Sequence, residues 1–194
     1  MEKYNLIVSA EEQFAREVTL GAIVARPPSA WSYLIPGMFI IDFLRRGSAI
    51  RKYTRHFMFP RKLALDAARA VSQGEDEASV RSHVEKETAA WLSALKLHSE
   101  ALLKAHMVFV EVLIEHYAVL LKAAGDSYYL LVGAAYQNRQ NFQLFLEKIT
   151  TAENGVDRQV IERRGDNERI KDKILIEQQQ IAKRRDKILE EVFP

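Results

Sequence analysis

Leu102–Leu121 reads LLKAHMVFVEVLIEHYAVLL, and its apolar side chains do not fall on a single helical stripe. At 3.6 residues per turn they form two. One stripe comes from Leu92, Leu95 and Ser99 and runs through Leu102, His106, Phe109, Leu113, His116 and Leu120; the other follows Met107, Val110, Ile114, Tyr117, Leu121 and Ala124. A helix with two adjacent apolar stripes has to cover both, which places it between at least two neighbouring helices in a bundle.

The flanking sequence is helical in the same way. Pro27, Pro28, Pro36 and Pro60 lie in the first third, and the 133 residues between Pro60 and Pro194 contain none. That interval is rich in Ala, Leu, Glu, Lys, Gln and Arg, the residues that lose least on entering a helix. No segment alternates with period two between hairpin turns, so no sheet is expected. The expected fold class is all-α: a bundle of long antiparallel helices with an N-terminal apolar/basic segment and a charged, coiled-coil-like C-terminal arm.

Element by element, a first helix is expected over Lys3–Ala25, its stripe formed by Leu6, Ile7, Ala10, Phe14, Val18 and Ala22. A second starts after Pro60 and stops at Gly74. Asp76 caps a third that runs to about Ala124, with a break expected near the polar turn before Trp91. Gly125 ends it, and Asp126 or Ser127 caps a fourth with the seam Tyr128, Leu131, Ala135, Asn138, Phe142, Phe145 and Ile149, closed at Asn154-Gly155. Asn138 and Asn167 sit in seams, where a polar side chain can set register.

Val156–Val192 differs in composition, with ten basic and nine acidic residues. Val160, Asn167, Ile174, Ile181 and Ile188 recur every seven positions, but their companions are mostly polar. Such a thin seam suits an exposed arm, a helix lying over a bundle or a homotypic coiled coil, with Ile174, Ile181 and Ile188 as the oligomerisation or partner-binding contact. The expected division is a bundle over 1–150, containing the apolar–basic segment 27–62, and a charged helix over 151–194.

Composition and charge narrow the function. The chain is 48% hydrophobic and 28% charged, as expected of a folded protein rather than a disordered one. It has no Cys, which removes disulfides, thiol chemistry and Cys-ligated zinc. The N-terminus has neither the basic start nor the apolar run of a signal peptide, so a cytoplasmic location is expected. The formal charge is +2, yet seven cations (Arg45, Arg46, Arg51, Lys52, Arg55, Arg61, Lys62) fall within eighteen residues that contain no acid, which leaves −5 for the rest. Segregation of this kind marks a contact with something anionic.

Just before that band, Ala30–Leu44 is almost wholly apolar. As a helix it would measure roughly 22 Å against about 30 Å of bilayer hydrocarbon, and Pro36-Gly37 and Asp42 interrupt it. A transmembrane span is therefore a poor fit, and an interfacial foot a better one. Trp31, Leu34, Met38, Phe39, Ile40 and Phe43 would insert, while Arg45, Arg46, Arg51, Lys52 and Arg55 hold headgroups. The rival reading buries segment 30–44 in the core of a soluble helical protein or homo-oligomer. Nucleic acid is disfavoured, because the basic band has no accompanying recognition motif.

Catalytic patterns are missing. None of His56, His83, His98, His106 and His116 follows an acid by three residues, as a carboxylate-bundle metal site would need. No phosphate-cradling glycine loop or nucleophile motif occurs. No cofactor or metal is expected, and His106 and His116 read first as hydrogen-bonded core residues and second as the lining of a small-molecule cavity. The sequence therefore points to a non-enzymatic scaffold or adaptor that contacts an anionic membrane surface or membrane complex through segment 31–62, peripheral at the inner face of a membrane, or a protein partner. A homo-oligomeric assembly protein and a small-molecule-binding bundle are the alternatives.

Overall fold

Seven helices and no strand form the secondary structure of the described residues, 2–24, 38–164 and 167–194, in the computed structural model; the side chains of 23–24, 38–46, 48–49, 164 and 169 lie outside that description. The helices are α1 (Glu2–Val24), α2 (Met38–Ser72), α3 (Glu77–Ala94), α4 (Glu100–Lys122), α5 (Tyr128–Tyr136), α6 (Arg139–Arg164) and α7 (Glu168–Val192). The all-α bundle expected from the two-striped helix is the fold observed. That helix, α4, packs against α2 and α6 and also touches α3 and α5.

Local boundaries follow the caps more closely than the prolines and glycines. Asp76 accepts from the Ser79 N–H at 2.8 Å and starts α3 as expected, and Ser127, not Asp126, accepts from Leu130 to start α5. Pro60, expected to precede a helix, lies inside α2. Its ring is buried, and packing of α2 on α1, α3 and α4 outweighs the cost of about 3 kcal/mol for an interior proline. One residue later, the Arg61 side chain donates to the Phe57 carbonyl at 3.3 Å.

The break between α3 and α4 comes after Trp91, not before it. Leu97 N–H bonds Leu92 O and Lys96 N–H bonds Ser93 O, both at 2.9 Å, while Lys96 takes a φ of 57°. This is a Schellman closure with Lys where glycine is usual, so no glycine announced it. The seam expected to run unbroken from Tyr128 to Ile149 also divides, at Gln137 (φ 66°). Asn138 there is the start of a helix and not a register residue, since its side chain accepts from Asn141 N–H at 2.9 Å. Asn167 similarly precedes α7, its carbonyl accepting from Ile170 and Lys171. Asn154-Gly155 does not end a helix; α6 runs through it to Arg164.

Five of the helices close a ring. α1 packs on α2, α2 on α4, α4 on α6, α6 on α7, and α7 returns to α1. α3 lies outside on α2 and α4, and α5 bridges α4, α6 and α7. Of the arrangements open to the C-terminal helix, α7 adopts the one lying on the bundle. Five rods spaced about 9 Å apart in a ring leave a central channel of roughly 3 Å radius. Apolar side chains fill much of it, among them Ile7, Leu65, Phe109, Leu113, Tyr117 and Ile188. Charged side chains cross the remainder.

Gly155 lies within α6, and a Cβ added there would meet nothing within 4 Å. Gly155→Ala should therefore raise stability by about 0.5–1 kcal/mol, read from urea unfolding, because only the unfolded chain loses freedom.

Candidate functional site

Two features of the ring carry chemistry: the outward face of α2 and the ionic centre. On α2, Arg51, Lys52 and Arg55 are exposed, as is Lys62. At 100° per residue, Arg51, Arg55 and Lys62 fall within roughly 40° of one another, with Lys52 beside them. None of these four forms an ion pair among the described residues. His56 shares this positive field: burial lowers its pKa first, then repulsion from Lys52 and Arg55.

Two of the aromatic residues in this stretch pack against other helices. Phe57 is buried and stacks on Phe14 with centroids 6.0 Å apart, while Phe59 stacks on Trp91 at 4.8 Å. Arg61, counted with the basic band in the sequence, belongs to the core at 4% exposure. Of the other expected contact residues, Trp31 and Leu34 lie outside the described residues. Met38, Phe39, Ile40, Phe43, Arg45 and Arg46 belong to the first turns of α2, with side chains outside the description.

Arg61 organises the centre. Its Nε meets Glu11 of α1 and its Nη2 meets Glu153 of α6, both at 3.2 Å. Arg185 of α7 grips the same Glu153 through two nitrogens, at 2.8 and 2.9 Å, and also reaches Thr150 Oγ1 at 2.9 Å. The Arg61 guanidinium lies 3.8 Å from the Phe57 ring centre, a cation–π contact out of bulk water. Burial pulls its pKa down, but Glu11 and Glu153 more than offset this, so it stays charged. Tyr117 from α4 is fully enclosed beside the cluster; burial and then Glu11 hold its phenol protonated.

The Arg61–Glu153–Arg185 bridge separates two cavities, since both arginines line each. One, about 300 Å³, lies among α1, α4, α6 and α7 and is walled by His116, Phe142 and Phe145. The other, about 340 Å³, lies among α2, α4, α6 and α7 and is walled by His106, Phe109, Asp157 and Glu177. Both expected core histidines are buried and hydrogen-bonded, and each also lines a cavity. His116 Nδ1 is 2.7 Å from the Tyr136 hydroxyl and its ring stacks on Phe145 at 4.2 Å. Burial, with Arg185 adding, pushes its pKa down to about 3, so it is neutral.

Ile181 and Ile188, expected as an oligomerisation seam, are buried in the core of their own chain, and Ile174 is half-buried on the outer part of α7. Among the described residues no helix is long and apolar enough to cross a membrane, and no group of three or more His, Asp or Glu side chains is placed to hold a metal. Glu11, Glu153, Asp157, Glu177 and Arg185 were not singled out from sequence. The available signal was a charge inside an apolar stripe: Arg61 lies between Phe57 and Leu65, Glu153 follows Ile149 by four, and Arg185 lies between Ile181 and Ile188. No protein-family model matches the chain, and no curated protein or solved structure matches it.

Asp157 titrates out of its ordinary range. Burial raises its pKa from 3.8 to about 6, the Gln178 hydrogen bond opposes this, and Glu153 adds to it. Between those values the folded state binds more proton than the unfolded state, so stability falls as pH rises from about 4 to 6. Asp157→Asn should remove this component: the stability difference, variant minus wild type, grows across that window in urea melts.

Proposed function

We propose that the protein is a non-enzymatic helical scaffold that docks on an anionic membrane surface through the outward face of α2. The observation that carries the reading is the set of exposed cations, Arg51, Lys52 and Arg55, grouped on one side of α2 with no carboxylate paired to them among the described residues. An uncompensated cluster of this kind attracts an anionic surface with about 1 kcal/mol per cation. Its lower end is fixed, because Phe57, Arg61 and Leu65 anchor the same helix in the ring. In this account Arg45 and Arg46 also hold headgroups, and Trp31, Leu34, Met38, Phe39, Ile40 and Phe43 enter the lipid interface.

Co-sedimentation with vesicles tests the proposal. The protein should bind phosphatidylserine-containing vesicles at low salt, lose binding as salt is raised, and leave pure phosphatidylcholine vesicles unbound. Each Gln at Arg51, Lys52 or Arg55 should weaken binding about fivefold, from about 1 kcal/mol apiece. Equal binding to both vesicle types, or a triple variant that binds as wild type does, overturns the reading.

A further inference from the structure

The cavity among α2, α4, α6 and α7 has a charge and hydrogen-bond inventory that does not close. Two of its cations are satisfied: Arg61 by Glu11 and Glu153, and Arg185 by Glu153. Two guanidiniums and two carboxylates leave that network neutral. Asp157 and Glu177 line the same cavity and belong to no ion pair among the described residues. Asp157 Oδ2 accepts only from the neutral amide of Gln178, at 2.8 Å, and that amide also serves Asn154 Oδ1 at 3.0 Å. Among the described residues the Tyr53 hydroxyl is the one neutral donor directed at Glu177, and it meets that carboxylate only in strained geometry, so neither acid has a cation and each keeps spare acceptor capacity.

His106 supplies an independent observation. It lines this cavity at 6% exposure, and its Nδ1 is 3.1 Å from the Leu102 carbonyl. A carbonyl only accepts, so Nδ1 carries the proton and Nε2 is an acceptor with no protein donor on it. Burial keeps the ring neutral, lowering its pKa against the weaker opposing effect of the Leu102 bond. Three side chains from three helices thus offer unused acceptors, and Phe57 and Phe109 form an apolar wall. Neither an anion nor a neutral acceptor complements that set. The three side chains are not placed to hold a metal ion, which would also gain nothing from the apolar wall.

We propose that this cavity binds a small primary alkylammonium ion, its N–H groups taken up by Asp157, Glu177 and His106 Nε2 and its carbon chain by Phe57 and Phe109. At about 340 Å³ the space is at the small end of ligand pockets, which span about 300–1,000 Å³, and suits a compact amine. Binding is linked to protons. The groups facing the site are Tyr53 and Arg61 from α2, His106 from α4, Glu153 and Asp157 from α6, and Glu177 and Arg185 from α7; Glu11 from α1 closes the network behind them. Of these, Asp157 titrates near 6, and Glu177 is also raised, by burial first and by Asp157 among its neighbours. A bound cation favours both as carboxylates, so amine uptake at pH 6 releases protons and affinity rises with pH through that region.

Calorimetric titration of the full chain with 1-butylamine tests this, run at pH 6 in two buffers of different ionisation enthalpy. The expected result is saturable binding with proton release, absent for 1-butanol and tetramethylammonium, which lack the ammonium N–H. Asp157→Asn and Glu177→Gln should each weaken binding at least tenfold. On the unaltered protein labelled with 15N-histidine, the amine should shift His106 and leave the exposed His83 and His98 in place. No saturable binding, equal response to tetramethylammonium, saturation by calcium in place of the amine, unchanged affinity in both variants, or an unmoved His106 overturns the proposal.

Discussion

The carboxylate of Glu153, held between Arg61 and Arg185, is the contact on which the rest of the molecule depends. Its two partners come from α2 and α7, and Arg61 extends the connection to Glu11 of α1. One buried chain of charges therefore joins four of the five helices in the ring. The fifth, α4, contributes the enclosed Tyr117 and the Phe109 ring that lies 5.6 Å from the Arg61 guanidinium. Such a network is a poor source of net stability, since desolvating the ions costs about what their attraction returns. It does restrict the alternatives, because losing one partner strands a buried charge, at about 3–5 kcal/mol. A ring of five helices leaves a central space that aliphatic side chains alone do not fill, and long charged side chains tied end to end suit it.

The two cavities follow from that arrangement. The ionic bridge crosses the central space without filling it, and room remains on either side. The two sides differ chemically. On the His116 side, aromatic rings and the Tyr136 hydroxyl satisfy the imidazole. On the His106 side, acceptors outnumber donors. The same packing leaves α2 with two unlike faces: Phe57, Arg61 and Leu65 hold the inner one in the ring, and Arg51, Lys52 and Arg55 occupy the outer one.

Much of the fold was legible in the residues. The two stripes of α4, the Asp76 cap and the thin heptad of α7 each describe what those side chains do locally, and each has its counterpart in the packing. The misplaced boundaries have a common physical origin. Pro60 is tolerated because its ring is buried where α2 packs on its neighbours; Gly155 is tolerated because α6 has neighbours on either side of it. Lys96 and Gln137 end helices in a left-handed conformation that their chemistry does not advertise. The candidate site was less legible. Reading Arg61 as part of a surface band, and leaving Glu153 and Arg185 unremarked, follows from counting charge along the chain. Their positions within apolar stripes give the better indication, and only the three-dimensional closure of the ring tells which acid meets which base.

A double-mutant cycle between Glu11 and Arg185 tests the central claim most directly. Among the described residues these two form no ion pair or hydrogen bond with each other, and each is bound to one end of the Arg61–Glu153 pair. If the charges act as one network closing the ring, Glu11→Gln and Arg185→Met should be non-additive in urea unfolding, with a coupling of about 1 kcal/mol or more. Additivity to within about 0.3–0.5 kcal/mol would contradict it and reduce the centre to separate ion pairs.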